Sequence, residues 1–288
     1  MIDQQTVVDA LAKFNPKTTA FNLNNALAMA YLSNEAYGTG ETIHKNLEAC
    51  GYRVFVIVQG DVQAVVAGNK DSIIVAFRGT RPDQLSDWMT DFNINQRQFD
   101  PVNVPGACVH NGFYTGLVGV WDTLYDCIVK CQTDAQTVWI TGHSLGGALA
   151  VLCCAFLTFI KREPVNGLYT FGQPRVGDIN FCTICDAHFG NVHFRFVNNE
   201  DIVTRVPPRI ILAPPMMYGH SGAVRFFDAS GALHADEHWW NEFLIRIDVG
   251  PDMLTLLKLP VTDHDLVNGY ITNIIKNYIS DIIKNALP

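Results

Sequence analysis

The chain is short of positive charge. Of its 288 residues, 20 are Lys or Arg against 28 Asp or Glu, a formal net charge of −8. The basic residues form no cluster, which argues against nucleic-acid binding. Charged residues make up only 17% and hydrophobic ones 48%, a globular balance leaning apolar rather than a disordered one. Internal repeats and low-complexity tracts are absent, which removes solenoids and flexible linkers. The length suits one large domain with a single sizeable core, expected over residues 1–288. No segment reads as a membrane span: the longest apolar stretch, Leu145 to Ile160, is too short and reads as a buried helix. Residues 1–25 hold no signal-peptide core, because Asp3, Asp9, Lys13 and Pro16 interrupt it.

A disulfide framework is also missing. The eight cysteines are Cys50, Cys108, Cys127, Cys131, Cys153, Cys154, Cys182 and Cys185. Cys153 and Cys154 are adjacent within a helical stretch, and Cys127/Cys131 and Cys182/Cys185 fall on further expected helices. Such thiols read as small core residues in a reducing compartment. With the missing signal segment, this predicts a cytoplasmic protein, leaderless secretion being the alternative. Cys182 and Cys185 have the spacing of a redox or metal pair, but no second pair completes a zinc site.

What is present is strand–helix alternation. Helices are expected near Thr6 to Phe14 and from Asn24 to Tyr37. A meander follows, Tyr52 to Val58, Val62 to Ala67 and Ser72 to Phe77, with turns at Gly60-Asp61 and Gly68-Asn69. A helix over Gly116 to Cys131 then leads into alternating elements: strand Thr137 to Thr141, helix to Lys161, strand Gly167 to Phe171, helix Asp178 to His188 and strand Val192 to Val197. This implies a mostly parallel sheet flanked by helices. Residues 207–263 are less regular, with a hairpin around Asp228 to Gly231. At the end Ile271, Ile274, Ile275, Tyr278, Ile279, Ile282 and Ile283 form a helical stripe, expected to cover the sheet rather than dock on a membrane.

Gly142-His143-Ser144-Leu145-Gly146 sits between one of those strands and the long apolar helix. A strand-to-helix turn exposes a serine oxygen at the sheet's carboxyl edge, and the helix N-terminus behind it offers N–H groups to a developing oxyanion. A nucleophilic serine needs a base, and the base an orienting acid. The acid is expected just past a strand end, at Asp201, with Glu200, Asp178 and Asp228 as competitors. For the base, His264 precedes the last helix, and His220 is the positional rival; His193 lies inside a strand, and His234 and His238 are further downstream. A second oxyanion donor, besides the N–H of Leu145, fits Phe77-Arg78-Gly79-Thr80.

Five segments carry a specific resemblance: Ala76-Phe77-Arg78-Gly79-Thr80, Val109 to Tyr114, Ile140 to Ala148, Thr170 to Asp178 and Asn198 to Pro208. In this order they resemble the class 3, fungal-type lipases of the α/β-hydrolase superfamily. The resemblance implies an α/β-hydrolase fold with a short helical lid. It implies Ser144 as nucleophile, Asp201 as acid, His264 as base (in Asp263-His264, followed by Tyr270), and Thr80 and Leu145 as oxyanion donors. It also implies a lid near residues 81–93, where Leu85, Trp88, Met89 and Phe92 fall on one helical face. The expected activity is serine carboxylic-ester hydrolysis on a lipid or small ester, most simply as a triacylglycerol lipase or esterase, without cofactor or metal. Alternatives are a feruloyl-type polar esterase or a phospholipase of the same fold, or a non-catalytic binding scaffold. One competing motif, His234-Ala235-Asp236-Glu237-His238, matches H-x-x-E-H of zinc peptidases, but the sequence after Glu242 offers no glutamate as a third ligand.

Overall fold

The computed structural model describes residues 2–90, 93–101, 106–133, 136–212, 215–235 and 262–286. Helices α1 (Gln4–Ala12), α2 (Leu23–Glu35) and α3 (Gly40–Ala49) come first, each started by a polar cap whose side chain accepts a backbone N–H: Asp3, Asn22 and Thr39. Strands β1 (Arg53–Gln59), β2 (Val62–Gly68) and β3 (Ser72–Phe77) form the expected antiparallel meander. A 3₁₀ turn, Pro82–Gln84, leads into the short helix α4 (Leu85–Thr90), and a small ribbon pairs β4 (Gln96–Gln98) with β5 (Cys108–His110).

Alternation then takes over. In order come α5 (Asn111–Cys131), β6 (Thr137–His143), α6 (Leu145–Phe156, continued by a π turn over Leu157–Lys161), β7 (Gly167–Phe171), α7 (Ile179–Phe189) and β8 (His193–Asn198). A second ribbon, β9 (Ile210–Leu212) and β10 (Pro215–Met217), precedes β11 (Ala223–Phe227) and β12 (Leu233–His234). A π segment, Leu266–Ile271, runs into the last helix α8 (Thr272–Ala286).

Among the described residues the main sheet has eight strands in the order β1-β2-β3-β6-β7-β8-β11-β12. From β3 to β11 the neighbours are parallel, and the antiparallel pairs lie at the two ends. Both faces are covered, so central strands read as unbroken apolar runs. In β3, Ile73, Val75 and Phe77 join the core beneath α5 and α6, while Ile74 and Ala76 join the core beneath α1 to α3. This period-two split follows from the pleat.

The terminal stripe is buried only in its first half. Ile271 and Ile274 are buried against the sheet, whereas Ile279, Ile282 and Ile283 are each about half exposed. The expectation that the stripe as a whole covers the sheet is corrected: the helix outruns the face it packs on. Helix α3 was not expected, because it is polar overall and only Ile43, Asn46 and Leu47 on it are buried. All eight cysteines are free thiols.

Candidate active site

Strand β6 ends at His143 and helix α6 starts at Leu145, so Ser144 is the whole of the turn between them. Its backbone takes φ 59° and ψ −132°, a region few side-chain-bearing residues adopt. The turn closes because Gly142 and Gly146 touch: a Cβ at Gly142 would overlap the Gly146 carbonyl, and one at Gly146 would overlap that of Phe77. The Ser144 N–H donates to the Phe171 carbonyl (2.9 Å), which locks the turn to the end of β7.

Asp201 lies three residues beyond β8 and caps the turn Ile202–Arg205, where the Val203 N–H donates to its Oδ1 (2.8 Å). Its Oδ2 accepts from His264 Nδ1 (2.8 Å) and from the Tyr270 hydroxyl (2.5 Å). Both Asp201 and His264 are buried. Burial pushes the Asp201 carboxyl up, but the His264 charge and three hydrogen bonds outweigh it, and its pKa lies below the ordinary value. The carboxylate takes the Nδ1 proton side of His264, so the imidazole's lone pair is on Nε2.

The loop carrying His264 is clamped to the loop carrying Asp201. Asp263 Oδ2 accepts from Asn199 Nδ2 (3.0 Å) and the Glu200 N–H (3.2 Å), and Asn198 Nδ2 donates to the Asp263 carbonyl (2.8 Å). Gly172, at φ +59°, sits against this pair; a Cβ there would lie 2.7 Å from the His264 ring and 2.8 Å from Asp201 Oδ2. The His143 and His264 rings pack with centroids 4.5 Å apart, which places the His264 imidazole over the residue preceding Ser144. On the other side, a Cβ at Gly79 would stand 2.8 Å from Ser144 Cβ, so the turn leading to Thr80 abuts the serine.

Ser144 Oγ, His264 Nε2 and Thr80 Oγ1 are all buried and make no hydrogen bond among the described residues. Unsatisfied buried polar atoms cost stability, and three of them belong to the residues expected as serine, base and oxyanion donor. Thr80, Leu85, His143 and His264 help to wall a cavity of about 890 Å³.

The remaining expected residues fall as follows. Leu145 opens α6, so its N–H is at the helix N-terminus. Leu85 and Met89 are buried and Trp88 half-buried on Ile202, Val203 and Val206, while Asp83, Ser86 and Asp87 are exposed; Phe92 lies outside the described residues. The rival histidine His220 is half-buried and its Nε2 donates to the Thr204 carbonyl (2.8 Å). His193 is buried within β8, and burial, reinforced by Arg195, lowers its pKa to about 3. Of the competing acids, Glu200 is exposed, Asp178 caps α7, and Asp228 accepts from His234 Nε2 (2.8 Å). The rest of the H-x-x-E-H motif, residues 236–238, lies outside the described residues. Tyr270, Asn198, Gly172 and Tyr37 are site residues to which sequence reasoning assigned no role. Asn198 and Tyr270 were at least flagged by the segments around Asp201 and His264.

A serine on a strand–helix elbow, beside a buried His–Asp pair at the carboxyl edge of a parallel sheet, is an arrangement of α/β-hydrolases. Comparison with known proteins narrows the class. The profile of the family Lipase (class 3) matches residues 74–210. The chain is 32% identical over 188 residues to a lipase of Rhizomucor miehei, covering 62% of this chain and 45% of that protein. It is 30% identical over 209 residues to a secreted mono- and diacylglycerol lipase of Malassezia globosa, covering 68% of each. Among solved structures, a triacylglycerol lipase described as having a serine protease triad at its catalytic centre matches with a TM-score of 0.60 at 27% identity, over 73% of this chain and 82% of the other. A mono- and diacylglycerol lipase of Aspergillus oryzae matches in fold with a TM-score of 0.61 at 23% identity, over 76% of this chain and 84% of the other. The chain belongs to the class 3 lipase family. It spans less than half the length of the Rhizomucor miehei protein.

These relatives correct the cytoplasmic expectation, because several are named as secreted enzymes. The physical reason lies in the thiols. Cys153, Cys154 and Cys185 are fully buried in the core, and burial raises their pKa. Such cysteines act as packing residues and say little about the redox state outside.

Proposed function

We propose that this chain hydrolyses carboxylic esters of lipids through Ser144, His264 and Asp201. The observation that carries the reading is that Ser144 Oγ and His264 Nε2 are both buried without a hydrogen-bond partner among the described residues, while Asp201 holds His264 Nδ1 and the His264 ring packs on His143, the residue before Ser144. His264 Nε2 takes the Ser144 proton as Oγ attacks the ester carbonyl. The N–H groups of Thr80 and Leu145 receive the oxyanion, the alcohol leaves with the proton from His264, and water repeats the sequence to release the acid.

Helix α4 is the lid of this reading, within residues 81–93. Ser144 is fully buried, and the apolar side of α4 rests on the segment that follows Asp201. Release of α4 at a lipid surface exposes both that side and the site beneath. The β9–β10 ribbon supports a lipid interface as the working environment. Ile210, Leu212 and Met217 on it are 60%, 85% and 46% exposed, a concentration of apolar surface that needs an apolar partner. The Met217 carbonyl accepts from Gln96 and the Tyr218 hydroxyl donates to the Ile94 carbonyl, so the ribbon adjoins the strand leaving the lid.

The test is hydrolysis of p-nitrophenyl esters from acetate to palmitate and of a triacylglycerol emulsion by wild type and Ser144→Ala. The reading expects a loss of roughly 10⁶ in kcat for the variant, a preference for longer acyl chains, and a rise in rate when the emulsion forms. Preference for short or polar esters with no response to the interface would make the enzyme a polar esterase, and activity surviving in Ser144→Ala would remove the serine mechanism.

A further inference from the structure

We propose that Tyr37 and His143 form a positioning relay that ties the Gly79–Thr80 turn and the loop carrying His264 to the end of β6, and so sets the distance between Ser144 and its base. The inference rests on reading Ser144 and His264 as nucleophile and base. Neither Tyr37 nor His143 touches the reacting atoms; both act through the groups they hold.

Hydrogen-bond chemistry fixes the direction of the relay. His143 Nε2 lies 2.8 Å from the His264 carbonyl oxygen, and a carbonyl only accepts, so Nε2 carries the proton. Burial, reinforced by the His264 charge, lowers the His143 pKa to about 3, and the ring is neutral at ordinary pH. Its Nδ1 therefore accepts, and the partner 2.9 Å away, the Tyr37 hydroxyl, donates. The Tyr37 oxygen in turn accepts the Gly79 N–H. One chain of donors thus runs from the oxyanion turn through Tyr37 and His143 to the backbone of His264.

Tyr37 has a rigid base. It follows α2 directly, and α2 is pinned to β6 through the hydroxyls of Ser33 and Thr141, 2.8 Å apart and both buried. The clamp of Asp263 onto Asn198, Asn199 and Glu200 holds the base loop to the acid loop. That clamp registers His264 against Asp201 and leaves the separation of His264 from Ser144 to be set elsewhere. His143 supplies this second constraint, because it is joined covalently to Ser144 and bonded to the His264 carbonyl. Catalytic geometry is sensitive at this scale: a displacement of about 1 Å can cost on the order of 10² in rate.

The test compares Tyr37→Phe, His143→Gln and His143→Leu on soluble p-nitrophenyl butyrate, with Tm and the rate of fluorophosphonate labelling measured alongside. A glutamine amide reaches the position of His143 Nε2 and donates to the His264 carbonyl; leucine cannot. The relay predicts that His143→Leu lowers kcat about 100-fold with KM within about twofold, and that His143→Gln recovers to within about tenfold of wild type. Tyr37→Phe is expected to lose about five- to tenfold in kcat, with labelling slowed in parallel. Equal activity of the Gln and Leu variants, full kcat in Tyr37→Phe, or losses that merely follow Tm would overturn the relay. Should His143→Leu fail to fold, Tyr37→Phe and His143→Gln decide alone. Wild type that neither cleaves ester nor takes label removes the functional reading and the relay together, whereas an active wild type with indifferent variants removes the relay only.

Discussion

Asp201→Asn is nearly isosteric, yet the structure leaves it no acceptable orientation. Oδ2 of Asp201 accepts from His264 Nδ1 and Tyr270, and Oδ1 accepts from the Val203 N–H. An asparagine whose amide nitrogen replaces Oδ2 faces a donor at His264 Nδ1–H. Turned over, its nitrogen faces the donor at Val203. The less costly resolution is the first orientation with His264 in its other tautomer, the proton moved to Nε2. The base then presents N–H, not a lone pair, to Ser144. A wrong tautomer of this kind costs on the order of 10⁴ in kcat. The unpaired alternative leaves a buried donor unsatisfied at about 1–3 kcal/mol. Folding should respond with a definite pH signature. The Asp201 pKa is lowered in the folded chain, so its contribution is present above the ordinary carboxylate range and is lost as pH falls through it. The gap in Tm between wild type and Asp201→Asn should therefore be widest near neutral pH and narrow in acid. Ester hydrolysis measured near neutrality, with Tm across pH, checks both parts. A folded Asp201→Asn retaining more than about a tenth of wild-type kcat would refute the tautomer argument.

Two further outcomes follow from the same geometry. Gly172→Ala meets a left-handed backbone and places its methyl against His264 and Asp201; kcat is expected to fall by on the order of 10² with a lowered Tm, and an alanine variant with wild-type kinetics would show that the pair is not packed as described. Three buried histidines should make the protein acid-labile: burial lowers His110 to about 4, and His143 and His193 to about 3. In the unfolded chain each titrates near about 6.5. Between those values the unfolded state binds more protons, so stability is fully present above about pH 6.5 and declines as pH falls, by about 1.4 kcal/mol per group per pH unit. Thermal melts from neutrality to about pH 5 should show Tm falling well before most carboxylates protonate, and a flat Tm over that range would contradict it.

The parts of the molecule that were legible in the sequence are those written locally. The β1–β3 meander carries its turns in Gly60-Asp61 and Gly68-Asn69, and the elbow needs only a strand, Gly142, Ser144, Gly146 and a helix. Asp201 and His264 were harder, since Asp178 also follows a strand and His220 also lies downstream of the acid; position left these open and the family resemblance chose. Tyr37 stayed silent because it acts on His143 across 106 residues, and no local pattern marks such a contact. Gly172 lies in the segment Thr170 to Asp178 that carries the resemblance, but its role shows only once the His264 and Asp201 side chains are placed against it. The exposed second half of α8 misled in another way. Periodicity reports a helix with an apolar stripe, and only the tertiary arrangement reports how far along the stripe there is a sheet to cover.

The central claim is that Ser144 is the nucleophile of a class 3 lipase site. It is tested most directly by treating the full chain with a fluorophosphonate and mapping the adduct by mass spectrometry, in wild type and Ser144→Ala. The account predicts one adduct, on the peptide containing Ser144, and none in the variant. An adduct on another residue, an adduct that persists in Ser144→Ala, or no adduct in wild type that melts cooperatively would contradict it.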